Sequence, residues 1–140
     1  MTREEKLARK ILVVDDDALI LQAVEFYFGR CGFEVDTCQE LEEARALLSP
    51  ERYSIVITDL RLTHLHRNEG LEVISCARGT TPSTLVVMVT GSGSPEIAAE
   101  ARRRGVDAFV HKPFDLPRLR EIVESLLLRA SQPDCGEADA

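Results

Sequence analysis

The chain has 140 residues, 44% hydrophobic and 29% charged, a composition that fits one globular domain with a core of its own. Its 17 basic and 24 acidic residues give a net charge of −7, which argues against direct binding to nucleic acid or to an anionic membrane. The opening Met1–Lys10 is charged, and no later apolar run has the length of a secretory h-region or a bilayer span.

Strand and helix patterns alternate five times along the chain. Lys10–Val14 is predicted as a strand ending in Asp15-Asp16-Asp17. A helix over Ala18–Cys31 follows, with Ile20, Val24, Tyr27 and Phe28 on one face, Asp17 as its cap and Gly32 as its stop. Glu34–Cys38 is a short strand, and Leu41–Leu48 a helix stopped by Ser49-Pro50. Ser54–Asp59 is the third strand, and a long polar loop runs from it to a helix near Gly70–Arg78. Thr84–Thr90 is the fourth strand. Ser94-Pro95 then pairs a cap with a proline at the first helical position and opens a helix to Arg104. That helix has only Ile97 as a large apolar anchor and is expected to be the loosest. Ala108–His111 is the last strand, and the last helix begins after Asp115 with Leu116, Leu119, Val123, Leu126 and Leu127 as its stripe.

This order predicts an α/β fold: a single doubly wound, five-stranded parallel sheet with five helices on its two faces. In such sheets ligands bind beyond the carboxyl ends of the strands, where the strand order switches. That rim would gather Asp15, Asp16, Asp59, Thr90 and Lys112. Three carboxylates this close cannot all ionise without compensation. Mg²⁺, a hard cation that takes oxygen ligands and keeps waters, supplies it, and with the Lys112 ammonium the charges sum to zero. Such a site suits phosphoryl transfer, with a carboxylate as nucleophile and the cations and the Thr90 hydroxyl at the oxygens where charge develops.

The ordered set Ile-Leu-Val-Val-Asp15-Asp16-Asp17, Thr-Asp59-Leu, Val-Thr90-Gly91 and Phe109-Val-His-Lys112-Pro113-Phe114 resembles the receiver domain of two-component response regulators, a flavodoxin-like, CheY-like fold. The resemblance covers about residues 10–130, the receiver; residues 1–9 form a charged segment, and the tail over 131–140 has no anchor of its own and is expected to be disordered. The resemblance implies Asp59 as phosphoacceptor, and Asp15, Asp16, Asp59 and the Arg61 carbonyl as Mg²⁺ ligands. By the same resemblance Thr90 and Lys112 contact the phosphoryl group, Phe109 is the aromatic switch, and Lys112-Pro113 is a cis peptide. The implied phosphodonor is a sensor histidine kinase or a histidine phosphotransfer protein in the cytoplasm. The implied output is a downstream protein, an output domain on another chain or a second copy of this one; the net charge of −7 gives no reason to expect a direct nucleic-acid or membrane partner.

Two features depart from the family pattern. The segment Leu62–Glu69 before Gly70 is roughly three residues longer than usual and lacks a proline. Arg61 sets a bulky cation two residues after Asp59, where it bears on the lifetime of a phosphorylated state. Two other functions compete. Asp15 and Asp17 imitate the Asp-x-Asp of a haloacid-dehalogenase-like phosphatase, but a later acidic pair is missing and Asp59 stays unexplained. A degenerate receiver used only for binding conflicts with the complete set of acids, hydroxyl and lysine.

The remaining features read as structural. Cys31, Cys38, Cys76 and Cys135 form no CxxC pair and are expected to be incidental thiols of a reducing compartment. His64 and His66 lack a third ligand and are expected to be solvated. Arg102-Arg103-Arg104 is expected to solvate its helix end and complement the dipole.

Overall fold

Strand positions follow the β-branched runs. Ile11–Val14 and Ile55–Thr58 present aliphatic or β-branched side chains on both faces, which suits strands buried on both sides. The computed structural model describes residues 9–50, 52–62, 68–91 and 94–131. Among these, five strands are found: β1 (Lys10–Val14), β2 (Glu34–Cys38), β3 (Ile55–Asp59), β4 (Leu85–Thr90) and β5 (Ala108–His111). Five helices alternate with them: α1 (Ala18–Arg30), α2 (Leu41–Leu47), α3 (Glu69–Thr80), α4 (Pro95–Arg104) and α5 (Leu116–Ser131). These bounds agree with the sequence expectation to within two residues. Most of the charged opening segment, the tail with Cys135, and His64-Leu65-His66 lie outside the described residues.

The strands form one parallel sheet in the order β2-β1-β3-β4-β5. Because strand side chains alternate in direction, each strand feeds two cores. Ile11, Val13, Ile57, Val89 and Val110 point to the face covered by α1 and α5. Leu12, Val14, Val56, Val86 and Met88 point to the face covered by α2, α3 and α4. The chain leaves β1 for β2 on one side and for β3 on the other, so the switch in strand order falls between β1 and β3.

Helix ends are fixed by local chemistry. Asp17 Oδ1 accepts from the Leu19 amide at 3.0 Å, and Ser94 Oγ accepts from the Ile97 amide at 3.2 Å with Pro95 next in line. The buried face of α1 differs slightly from expectation: Leu21, Val24 and Phe28 are buried, whereas Ile20 and Tyr27 are half-buried. Leu21 joins the core because α1 packs on β2 as well as on β1 and α5, which widens its apolar stripe. In α4 only Ala101 is buried, with Ile97 half-buried against the core, in keeping with the thin apolar face read from sequence.

The segment after β3 is less polar than it reads. Leu60 and Leu62 are both buried, and the Gly70 amide donates to the Leu60 carbonyl at 2.8 Å. A Cβ at Gly70 would lie 2.3 Å from the Asp59 carbonyl oxygen, so glycine alone allows α3 to start this close to β3. At the opposite end of the sheet, Arg78 on α3 donates to the carbonyls of Pro82, Thr84 and Gly105 and pairs with Asp107 at 2.6 Å. No helix of the described residues is long and apolar enough to cross a membrane.

Candidate functional site

β1 and β3 are neighbours, with Val14 opposite Thr58, so the residues just beyond them share one rim. Asp15, Asp16 and Asp59 each offer a carboxylate oxygen there, all within 4.8 Å of one another. Asp15 is 3% and Asp59 7% exposed, while Asp16 is open to solvent. Asp15 Oδ1 accepts from the Asp17 amide at 2.9 Å, which fixes the carboxylate.

β4 and β5 complete the rim. Thr90 ends β4 opposite His111, and the Lys112 amide donates to the Thr90 carbonyl at 2.9 Å. This bond ties the Lys112 backbone to the end of β4, the strand next to β3. Lys112 Nζ then lies 3.0 Å from Asp59 Oδ2 and 4.0 Å from Asp15 Oδ2. The peptide between Lys112 and Pro113 is cis, as the resemblance implies. Asp59, Leu60, Arg61, Thr90, Gly91 and Lys112 line a cleft of about 200 Å³.

The electrostatics fit a site that wants more positive charge. Burial, reinforced by the charge of Asp59, pushes the Asp15 carboxyl up to about 6, although the bond from the Asp17 amide and the Lys112 ammonium oppose the rise. Burial by itself lowers the affinity of Lys112 for its proton. The hydrogen bond to Asp59 and the charges of Asp59, Asp15 and Asp16 outweigh that and hold the ammonium above its ordinary range. One lysine against three carboxylates leaves a net negative site. Oxygen donors of this number and charge suit a hard divalent cation that retains waters.

The residues expected at the rim therefore meet there: Asp15, Asp16, Asp59, Thr90 and Lys112. Arg61 is exposed and lines the same cleft. Phe109 is half-buried on β5 and borders a second cavity, of about 190 Å³, whose wall it shares with Thr90. Asp17 serves as the α1 cap.

The arginine run lies in the last turn of α4, with Arg102 and Arg103 exposed as expected, and it makes contacts beyond that role. Arg103 and Arg104 pair with Glu100, and Arg104 also bridges to Glu72 on α3 at 3.0 Å. Arg102 instead lies over the Phe109 ring, 5.1 Å from its centroid. The i,i+3 and i,i+4 spacing to Glu100 was a visible signal for the first two contacts. Nothing local signals the third.

Comparison with known proteins agrees with this geometry. The family model described as the response regulator receiver domain matches residues 11–124. The response regulator protein PilR of Pseudomonas aeruginosa is 35% identical over 130 residues, covering 93% of this chain and 28% of that protein. The chain thus spans under a third of that relative's length. A CheY-like receiver domain protein from Methanospirillum hungatei superposes with a TM-score of 0.81 at 29% identity, over 87% of this chain and 95% of that one. A response regulator receiver protein from Pseudomonas putida gives 0.73 at 32% identity, over 83% and 95%. Neither the phosphatase nor the binding-only alternative draws support from these matches. Fold, rim and sequence match converge: the chain belongs to the receiver-domain family of two-component response regulators.

Proposed function

We propose that Asp59 accepts a phosphoryl group from a phosphohistidine donor, with Mg²⁺ held by Asp15, Asp16, Asp59 and the Arg61 carbonyl. The observation that carries this reading is the contact of Lys112 Nζ with Asp59 Oδ2, 3.0 Å apart in an acid-rich cleft that Thr90 also lines. Lys112 engages one oxygen of the acceptor and leaves the other to attack phosphorus. A bond forms from Asp59 to phosphorus, the bond from phosphorus to the donor nitrogen breaks, and the imidazole departs with its electron pair. The Lys112 ammonium and the Thr90 hydroxyl then bind the phosphoryl oxygens. Mg²⁺, when bound, supplies the remaining positive charge that the transferring oxygens need.

The phosphoryl group draws Thr90 toward the cleft, and Phe109, across the shared wall, follows. The surface formed by α4, β5 and α5 changes, and a downstream protein, an output domain on another chain or a second copy reads it. The donor is a sensor histidine kinase or a histidine phosphotransfer protein.

Intact-mass measurement with acetyl phosphate tests the reading. The expected result is a Mg²⁺-dependent gain of one phosphoryl group that Asp59→Asn abolishes. Labelling that persists in Asp59→Asn and is lost in Asp15→Asn overturns it.

A further inference from the structure

The three arginines that close α4 are not equivalent. Arg103 and Arg104 are tied to Glu100, and Arg104 to Glu72 as well. Arg102 has no carboxylate at ion-pair distance among the described residues, and its guanidinium rests over the Phe109 ring. That ring borders the cavity of about 190 Å³ whose largely apolar wall includes Leu60, Met88, Thr90 and Ile97. Thr90 is also a wall of the carboxylate cleft. Leu60 lines both spaces too, so among the described residues these two alone form the wall between the reacting carboxylate and an open space beside an aromatic ring.

Protein interiors are close-packed, and an apolar space of this size favours entry of a neighbouring side chain. Phe109 is the half-buried ring beside it. A cation over the ring opposes that movement, because the attraction depends on the guanidinium staying over the aromatic face. The anchor is well placed for this. Ala101, immediately before Arg102, is the only buried residue of α4, so the helix backbone is fixed at this point of the helix while its outer face stays open.

We propose that Arg102 is a positioning residue for the switch: its guanidinium clamps Phe109 at the cavity mouth and biases the unphosphorylated domain toward the outward ring. The clamp rests on the reading of Asp59 as phosphoacceptor and Phe109 as switch. An exposed guanidinium over a ring corresponds to a bias of about two- to fivefold in the ratio of outward to inward ring. By linkage, a domain freed of the clamp meets the phosphoryl group with more of its population already in the receptive state.

The test uses the full chain labelled with para-fluorophenylalanine, with the Phe109 fluorine resonance assigned by its loss in Phe109→Leu. Arg102→Gln is expected to raise the inward fraction by about two- to fivefold, and Arg102→Lys, which keeps a cation, by less. Phosphorylation by acetyl phosphate should quicken by up to the same factor in Arg102→Gln, with no change when Phe109→Leu is already present. An unmoved resonance in Arg102→Gln overturns the clamp, as does equal acceleration in the Phe109→Leu background. A wild-type ring that stays fixed on phosphorylation overturns the switch reading itself, and the clamp with it. Failure of the phosphoacceptor reading is recognised separately, by the mass of Asp59→Asn.

Discussion

Asp15→Asn should make the metal-free domain more stable, although it removes a residue from the centre of the site. Asp15 is 3% exposed, and burial pushes its carboxyl up to about 6 in the fold, against 3.8 for an unperturbed aspartate. At about 1.4 kcal/mol per pKa unit, keeping it ionised at neutral pH costs about 3 kcal/mol of stability. The folded value lies above the unfolded one, so the folded state binds the proton more tightly. The cost is therefore absent well below pH 3.8, grows between 3.8 and about 6, and is complete above that window. Asparagine keeps the Oδ1 acceptor for the Asp17 amide and removes the charge. Allowing for the partial desolvation of the amide, the variant should gain about 1–3 kcal/mol at about pH 7.5 in EDTA. At about pH 4 the gain should shrink to about 0.5 kcal/mol or less. Urea unfolding followed by circular dichroism at both pH values reads this difference directly. Saturating Mg²⁺ should reverse the order at the higher pH, since only the wild type keeps the full set of charged ligands. A variant less stable than wild type in EDTA at the higher pH, or a gain equal at both pH values, refutes the electrostatic account and makes Asp15 a structural hydrogen-bond partner.

Three further substitutions probe other parts of the rim. Asp16→Asn should weaken Mg²⁺ binding by about tenfold or more while leaving metal-free stability nearly unchanged, because this carboxylate is exposed; a calorimetric titration identical to wild type would move the metal elsewhere. Lys112→Ala should retain the fold in Mg²⁺ but gain its phosphoryl group on the order of a hundredfold more slowly, as read by intact mass over time. If its main effect were unfolding in Mg²⁺, the lysine would be an ion-pair prop for Asp59. Gly70→Ala should destabilise by roughly 2 kcal/mol or more, since the new methyl would lie 2.3 Å from the Asp59 carbonyl oxygen and 2.8 Å from Leu60 Cα. A urea midpoint equal to wild type would show that α3 can withdraw from β3 at little cost.

Much of the domain was legible in the sequence because its signals are local. Period-two and fully apolar runs mark strands, 3.6-residue stripes mark helices, and Asp17, Gly32 and Ser94 punctuate them through contacts a few residues away. The acids were legible for a related reason. Asp15 and Asp59 each follow or close an apolar strand, and a parallel sheet brings such ends to one rim whatever the details of packing. What only the tertiary structure decided lies between segments far apart in sequence. The order β2-β1-β3-β4-β5 and its register bring Lys112 to within 3.0 Å of Asp59, 53 residues earlier in the chain. The burial of Leu60 and Leu62 in a segment that reads as a polar loop depends on where α3 starts, and that depends on the close approach at Gly70. The placement of Arg102 over Phe109 depends on how α4 lies across β5. Residue patterns repeat over two to four positions and carry secondary structure; register, burial and cross-element contacts are set by packing that no such window contains.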